Sequence, residues 1–259
     1  MKIFSDYHTH PQAHQLQPYT EALLQPWVES CRKKGITDIA FTDHDRYHQC
    51  VDFDIINKVR EKNPDLKIRA GIELDNDPNH SEAGRRWVEK NWERLDFVLG
   101  SVHFLDRWAF DHAGQEKEFQ QRNIDEVYAH YIKNMSQLIS QGHIDCLAHL
   151  DLIKIFKFFP VQPLNQLFHP ILEQIKKNNL AIEISTAGWR KPVNIQYPDQ
   201  TIIASALELK IPITLASDAH SHFQIAENYD RLAQLLIKFN VREIALYEKH
   251  QPKIVSLSL

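Results

Sequence analysis

Short apolar runs alternate with longer amphipathic segments along the 259 residues of the chain. The short runs predict β-strands at 2–6, 38–42, 67–72, 97–101, 144–148, 181–185, 212–216 and 243–246. Between them, apolar residues recur at steps of three and four, which is the period of an amphipathic helix. The clearest examples are Ile124, Tyr128, Tyr131, Met135 and Leu138, and then Ile225, Tyr229, Leu232, Leu235 and Phe239.

The regular alternation of strands and helices indicates an α/β fold. Such an order implies parallel strands that are joined by right-handed crossovers. Seven or eight strand–helix units in one chain favour a barrel, and a doubly wound open sheet is the alternative. The sequence shows no linker or low-complexity tract, so we expect a single domain over residues 1–259.

Composition and charge narrow the classes of function. A hydrophobic fraction of 43% and a charged fraction of 25% are those of an ordinary soluble protein, and the net charge of -4 argues against a nucleic-acid-binding surface. We see no apolar run of the ~20 residues that a membrane helix needs and no secretory signal, so no membrane association is expected. The three cysteines lack CxxC spacing, which suits a reducing cytoplasm. With only 7 glycines, the chain has no GxGxxG or P-loop phosphate cradle.

Polar side chains follow seven successive predicted strands. In a parallel barrel, the C-terminal strand ends open on one face, where the following loops build active sites. Scattered surface histidines would not follow strand ends in this way, so this register is the strongest signal in the sequence. The residues are His8 and His10, then Asp43, His44 and Asp45 in TDHD, Glu73 in GIELD, His103 in GSVHF, His149 in LAHLD, Arg190 in STAGWRKP, and Asp218 and His220 in ASDAH.

The residue types and their spacing predict a metal site. Residues two apart in a strand point the same way, so His8 with His10, and Asp218 with His220, can hold the same ion. Imidazole suits Zn, Fe or Mn, and carboxylates bridge pairs of cations. The nine candidate ligands are too many for one ion and suggest several: His8, His10, His14, His44, Glu73, His103, His149, Asp218 and His220.

Some residues near these motifs allow more than one interpretation. A single HxH can arise by chance in a chain with 15 histidines, and His14 lies in a loop where it can simply be solvated. Asp43 and Asp45 flank His44 and can act as acceptors that orient imidazoles. In the WAFDHAG segment, Trp108 and Phe110 are either a lid over the substrate or plain packing, and the role of His112 is open.

The motifs HTH, TDHD, GIELD, GSVHF, AHLDLIK, TAGWRKP and SDAH together resemble the PHP family, the polymerase and histidinol phosphatase domain. More narrowly, they resemble its monofunctional histidinol-phosphatase branch. The resemblance implies a distorted (β/α)7 TIM-like barrel with two or three divalent transition-metal ions at its C-terminal strand ends. It implies that His8, His10, Glu73 and Asp218 hold a first ion, that Glu73 bridges to a second held by His103 and His149, and that His14, His44 and His220 hold a third.

The resemblance also implies a phosphomonoesterase, which converts L-histidinol phosphate to L-histidinol in histidine biosynthesis. A hydroxide held between two cations would attack phosphorus, since metal binding lowers the pKa of water to about 7. Glu73, Asp218, Arg190 and Asp43 are the expected catalytic residues. Arg190 would bind the phosphate with help from Lys154. Trp108, Phe110 or His112 would contact the rest of the substrate, and Asp75 or Asp111 would face its ammonium.

Other functions stay open at this point. A phosphoesterase for another small ester or nucleotide would use the same ligands, and so would a nuclease or proofreading domain of the family. An amidohydrolase also has HxH after its first strand, but it typically carries a bridging Lys where this chain has His103. A metal-binding module without activity is the remaining alternative. The expected partner is a small phosphate monoester, and the sequence leaves monomer or homo-oligomer undecided.

Overall fold

A seven-stranded parallel sheet forms the centre of the protein in the computed structural model, which describes residues 3–257. Its strands follow one another in the order β1-β2-β3-β4-β7-β8-β9, and each pair of neighbours is parallel. The strands of the described chain are β1 Ser5–Asp6, β2 Asp38–Phe41, β3 Lys67–Leu74, β4 Phe97–Gly100, β5 Phe104–Leu105, β6 Trp108–Ala109, β7 Cys146–Leu147, β8 Ala181–Ser185, β9 Ile213–Ala216, β10 Glu243–Glu248 and β11 Gln251–Ser256.

The first and last strands of this sheet meet. The Tyr7 amide donates to the Leu215 carbonyl at 2.9 Å, and the His10 amide donates to the Ala219 carbonyl at 2.7 Å. These bonds curl the sheet into a nearly closed barrel, which confirms the predicted (β/α)7 fold and excludes an open sheet. β1 and β7 are much shorter than predicted, at two residues each, and β2, β4 and β9 are each one residue shorter. Lys2, where the first strand was predicted to begin, and the ends of the 1–259 domain lie outside the described residues.

Within the described part of the chain, eight α-helices surround the barrel. They are α1 Glu21–Lys34, α2 Phe53–Lys62, α3 Ser81–Asn91, α4 Glu116–Gln120, α5 Ile124–Gln141, α6 Leu164–Lys177, α7 Gln200–Glu208 and α8 Tyr229–Lys238. Apolar stripes on these helices pack on the outside of the sheet and form the larger core, as the periodicity predicted. The helix predicted from Ile225 begins four residues later, because Asn228 is left-handed with φ 63° and interrupts the turn before Tyr229.

A smaller core fills the barrel interior. Small residues such as Ala40, Ala148 and Ala181 leave room there for the rings of Tyr7, Phe97 and Tyr247. Tyr7 Oη donates to Asp38 Oδ1 at 2.9 Å and accepts from the Tyr247 amide at 3.0 Å. The run predicted at 243–246 is therefore not an eighth barrel strand but part of an antiparallel hairpin, β10–β11.

This hairpin covers the N-terminal end of the barrel. His250 at its turn places Nδ1 2.8 Å from Asp145 Oδ2 and Nε2 2.9 Å from the Trp92 carbonyl oxygen, and its ring stacks on the Trp92 indole. Arg69 joins the hairpin to the sheet by pairing with both Asp38 and Glu248. The C-terminal strand ends remain free for a site.

Protonation of His250 is expected to stabilise the fold. Burial lowers the pKa of His250, but Asp145 and the Trp92 carbonyl accept from its ring and raise that pKa above its ordinary value of 6.5. The stabilising contribution is therefore complete below about pH 6.5 and is lost as pH rises through the higher folded-state pKa. His250→Gln should lower the free energy of unfolding more at pH 5.5 than at pH 9, measured by urea denaturation. His169→Gln, on the exposed face of α6, is the matched control, and an equal loss at both pH values would contradict this linkage.

Candidate metal centre

Glu73, near the C-terminal end of β3, lies at the centre of the polar residues that follow the strands. Its side chain is completely buried, and five imidazoles from the ends of four other strands surround its carboxylate. The nitrogen–oxygen distances are 2.9 Å to His44, 3.2 Å to His149, 3.4 Å to His8, 3.6 Å to His10 and 3.8 Å to His103. The predicted convergence of the strand ends on one site is thus present in the fold.

Asp218, after β9, brings a second carboxylate to the same group. Its Oδ1 lies 3.2 Å from His10 Nε2, 3.8 Å from His8 Nε2 and 3.4 Å from His220 Nδ1. Its backbone is left-handed with φ 52°, which costs free energy for a residue other than glycine. Strain of this kind persists where the surroundings hold a residue for its side chain, and here the side chain is directed at the imidazoles.

His14 joins the cluster although it lies in a loop. Its ring centroid is 4.3 Å from that of His220, 4.9 Å from that of His44 and 6.2 Å from that of His10. A tight turn after β1, with His14 at φ 62°, folds the loop back over the barrel. All nine predicted ligands therefore occupy one region of the structure.

The unpaired atoms in this region fit metal ions. Among the described residues, the buried Nε2 atoms of His8, His10 and His220, Nδ1 of His44 and both carboxylate oxygens of Glu73 have no hydrogen-bond partner. Buried polar atoms are rarely left without partners, and imidazole with carboxylate is a typical donor set for transition metals. Ligand atoms within 4.8 Å of one another form four trios: His10, His44 and His220; His8, Glu73 and His149; His8, His10 and Asp218; and His44, Asp75 and His103.

The trios overlap with the expected assignment of ligands without reproducing it. His8, His10 and Asp218 belong together, as expected for a first ion. His10 takes the place expected for His14 beside His44 and His220, and Asp75 adds a donor near His103 that was not expected to bind metal. The number of ions and the division of ligands among them stay predictions.

The electrostatics of the cluster keep several imidazoles neutral and the carboxylates charged. Burial lowers the pKa of His10 and of His14, the latter to about 3, and the charge of His220 lowers both further. Burial would raise the pKa of Glu73, but His44 and His8 lower it well below its usual range. Neutral imidazole and ionised carboxylate are the protonation states that bind metals. Burial lowers the pKa of His8 and of His103, but Glu183 raises the first well above its ordinary value and Asp75 raises the second to about 10, so these two imidazoles would release a proton on binding metal.

Carboxylates behind the cluster orient its imidazoles. His8 Nδ1 lies 2.9 Å from Glu183 Oε2, and His103 Nδ1 lies 3.1 Å from Asp75 Oδ2. Glu183 also accepts the His149 amide at 2.8 Å. Such pairs fix which ring nitrogen faces a metal and raise its basicity. Sequence reasoning missed Glu183, whose signal was a charged residue in the middle of the apolar strand β8.

The two acidic residues around His44 lie in different environments. Asp43 accepts from Tyr19 Oη at 2.6 Å and from the Gln12 amide at 3.0 Å, and burial raises its pKa to about 7. Its Oδ1 is 4.0 Å from His10 Nδ1, too far for a hydrogen bond, so the orienting role of Asp43 stays a prediction. Asp45 instead packs against the backbone of Gly84 in α3, away from the imidazoles.

A cavity of about 480 Å³ lies over the cluster. One side of it consists of predicted ligands, among them Glu73, His103, His149 and Asp218. The remaining wall combines charged, aromatic and small side chains from the loops. These residues are Arg46, Tyr47, Asp75, Phe104, Ala109, Asp111, His112, Ala113, Leu152 and Lys191. Its size suits a small molecule that carries both charged and aromatic groups.

Three residues that were expected to contact substrate lie outside this wall. Phe110 is completely buried and packs on Tyr131, and Trp108 donates its indole N–H to Gln115 on another face. Lys154 is completely buried, with Nζ 2.6 Å from Asp151. The β5–β6 hairpin therefore uses its aromatic residues for packing. Of the residues that were expected to contact substrate, His112, Asp75 and Asp111 line the cavity.

Arg190 lies beside the cluster rather than in the cavity wall. Its Nη2 donates to the Ser217 carbonyl at 2.7 Å and to the Asp218 carbonyl at 3.0 Å, and its Nε lies 3.5 Å from Glu227. Its Nη1 is buried and has no partner among the described residues. The neighbouring Lys191, which was not predicted, is exposed and lines the cavity.

Comparison with known proteins identifies the family. A family model described as the PHP domain matches residues 6–187. The chain belongs to the PHP family. This agrees with the resemblance of the seven motifs, and the matched segment includes the predicted ligands from His8 to His149.

Relatives of this PHP protein carry the same functional name. It is 35% identical over 160 residues to a probable histidinol-phosphatase of Deinococcus radiodurans. The aligned segment covers 60% of this chain and 58% of that protein. It is 23% identical over 248 residues to the histidinol-phosphatase of Bacillus subtilis, covering 80% of this chain and 90% of that one. The chain thus spans less than two thirds of the Deinococcus relative.

Solved structures agree with the PHP fold. The histidinol phosphate phosphatase of Lactococcus lactis, complexed with zinc, L-histidinol and phosphate, superposes with a TM-score of 0.75 at 20% identity. The match covers 96% of this chain and 98% of that one. At this identity the match establishes the fold.

Within residues 3–257, no helix has the length and apolar character needed to cross a membrane.

Glu73→Gln is expected to remove bound metal. The amide keeps the volume of the side chain but loses the negative charge that five imidazoles surround, so ions should bind more weakly. After expression with added Zn, Fe or Mn, elemental analysis should find less than about half of the metal content of the unmodified protein. Glu82→Gln, on an exposed turn of α3, serves as the control. Equal metal content in the two variants would contradict a role for Glu73 as ligand.

Proposed function

We propose that this protein is a metal-dependent phosphomonoesterase that hydrolyses L-histidinol phosphate to L-histidinol and phosphate. The observation that carries the proposal is the buried set of histidine and carboxylate atoms without partners, which faces a cavity lined by Arg46 and Lys191. Relatives named histidinol-phosphatase support the choice of substrate. Two or three divalent ions bound by these residues would supply the Lewis acidity that phosphate ester hydrolysis requires.

The side chains of the cavity fit direct hydrolysis by water. No serine, threonine or cysteine belongs to the part of its wall that the described residues form, so a covalent intermediate on such a residue is not part of the proposal. Glu73 and Asp218 would hold the metals, and Glu183 and Asp75 would keep His8 and His103 in place. The walls formed by the loops after β4 and β8 would limit the access of bulk water.

Positive side chains around the cavity suit a phosphate group. Lys191 and Arg46 line it, and Arg190 approaches from behind Asp218 with one nitrogen unpaired. A guanidinium can hold backbone carbonyls with one nitrogen and a phosphate oxygen with another. We therefore retain the proposed role of Arg190 in binding the phosphate, and we add Lys191 as a second cation.

The substrate preference is the first test of this function. The kcat/KM for histidinol phosphate should exceed that for p-nitrophenyl phosphate at least 100-fold, which is roughly 3 kcal/mol of transition-state stabilisation. The protein should release no nucleotides from single-stranded DNA. Assays of the metal-loaded protein against a panel of phosphate monoesters measure both. Equal values for the two esters would indicate a broad phosphoesterase, and nucleotide release would indicate a nuclease.

Arg190→Lys tests the contribution of the guanidinium. Lysine keeps the charge, but its ammonium cannot hold the Ser217 and Asp218 carbonyls and a phosphate oxygen in the same geometry. We expect KM to rise and kcat/KM to fall by about 10- to 100-fold, with the metal content retained. Arg242→Lys, on the exposed surface before β10, is the control. Loss of metal in Arg190→Lys would assign the residue a structural role instead.

A further inference from the structure

The four acidic residues on the cavity wall differ in their partners. Glu73 and Asp218 face the imidazoles of the cluster, and Asp75 pairs with His103 at 3.1 Å and lies 3.8 Å from Arg46. Asp111 has neither a hydrogen-bond nor an ion-pair partner for its carboxylate within residues 3–257. It is half-buried in the wall, just after β6 and outside the ligand set. Asp111 is thus the acid on the cavity wall that the protein leaves uncompensated.

An uncompensated carboxylate is unfavourable in a cavity that binds phosphate. Like charges repel, and this repulsion is stronger at a half-buried position than in water. The charge of Asp111 already acts on His103, so it lies within electrostatic range of the cluster. A substrate that brings only negative charge would bind more weakly because of Asp111. A substrate that also carries a positive charge would gain an ion pair instead, so this one residue can discriminate between the two classes.

We infer that Asp111 binds a protonated amine of the substrate and that the site thereby selects phosphate monoesters that carry a cationic nitrogen near the ester. This inference rests on the proposed function and names the residue that recognises the ammonium. The neighbouring walls are compatible with it, because Phe104 and Tyr47 offer aromatic surface for the rest of a small cationic molecule. These two rings take the place that Trp108 and Phe110 were expected to occupy.

Paired substrates and a paired variant test the role of Asp111. Histidinol phosphate is compared with its N-acetyl derivative, which keeps the imidazole and the phosphate but loses the ammonium charge. The unmodified protein should prefer the charged ester by about 100-fold in kcat/KM, and Asp111→Asn should reduce that preference to less than about tenfold. Asp106→Asn is the matched control, since Asp106 is exposed in the same hairpin and its left-handed backbone accepts asparagine. It should leave the preference unchanged.

A second substrate pair separates this inference from the proposed function. The ratio of kcat/KM for 2-aminoethyl phosphate to that for 2-hydroxyethyl phosphate tests the recognition of an amine without reference to histidinol. If histidinol phosphate is not hydrolysed but this ratio falls in Asp111→Asn, the proposed substrate is wrong and the inference about Asp111 stands. If both preferences are the same in the variant and the unmodified protein, with metal content equal, the inference is overturned.

Discussion

The burial of one carboxylate, that of Glu73, is the constraint on which the rest of the site depends. A charged group without exposure to water is costly unless opposite charge or strong donors surround it. The fold provides five imidazoles within 4 Å of its oxygens, yet none of them gives either oxygen a well-formed hydrogen bond. Metal ions would satisfy the carboxylate and the ring nitrogens together. Metal binding would then contribute to the stability of the fold as well as to its chemistry.

The N-terminal end of the barrel contributes to the stability of the fold, and the C-terminal end carries the candidate metal centre. At the N-terminal end, the hairpin β10–β11 and the rings of Tyr7, Phe97 and Tyr247 form a packed plug. At the C-terminal end, six of the seven barrel strands carry a predicted ligand at their end or within a few residues after it. The plug and the small residues of the interior close the barrel to bulk water. The polar cluster at the C-terminal end is therefore shielded from water on its barrel side.

A set of buried carboxylates around the cluster supports its imidazoles. Glu183 and Asp75 lie directly behind imidazoles, Asp43 lies 4.0 Å from a third, and all three also accept backbone N–H groups. This set converts flexible histidine rings into fixed donors, which a site for several ions needs. Around the cluster, the wall contains both cations and an unpaired acid, which is the charge pattern expected for a small zwitterionic substrate rather than a polyanion.

The sequence by itself determined the barrel and the residues that come together at its C-terminal end. Strand ends in a parallel barrel share one face, so the order of HTH, TDHD, GIELD, GSVHF, LAHLD and SDAH was sufficient to bring together residues that are far apart in the chain. Even His14, which lies in a loop, belongs to the cluster. The number of barrel strands also followed from the alternation of apolar runs, apart from the run at 243–246.

Only the tertiary structure decided which residues face the cavity from the loops. Three residues that are close to the predicted ligands in sequence do not face the cavity: Trp108, Phe110 and Lys154. Trp108 donates to Gln115 and Phe110 packs on Tyr131. Lys154 pairs with Asp151. Glu183 acquired its role from partners that are distant in sequence. The choice of Asp111 over Asp75 came from its lack of a partner within residues 3–257. The physical reason is that strand periodicity sets the direction of a side chain within a regular element, whereas in irregular loops that direction depends on packing against the rest of the molecule.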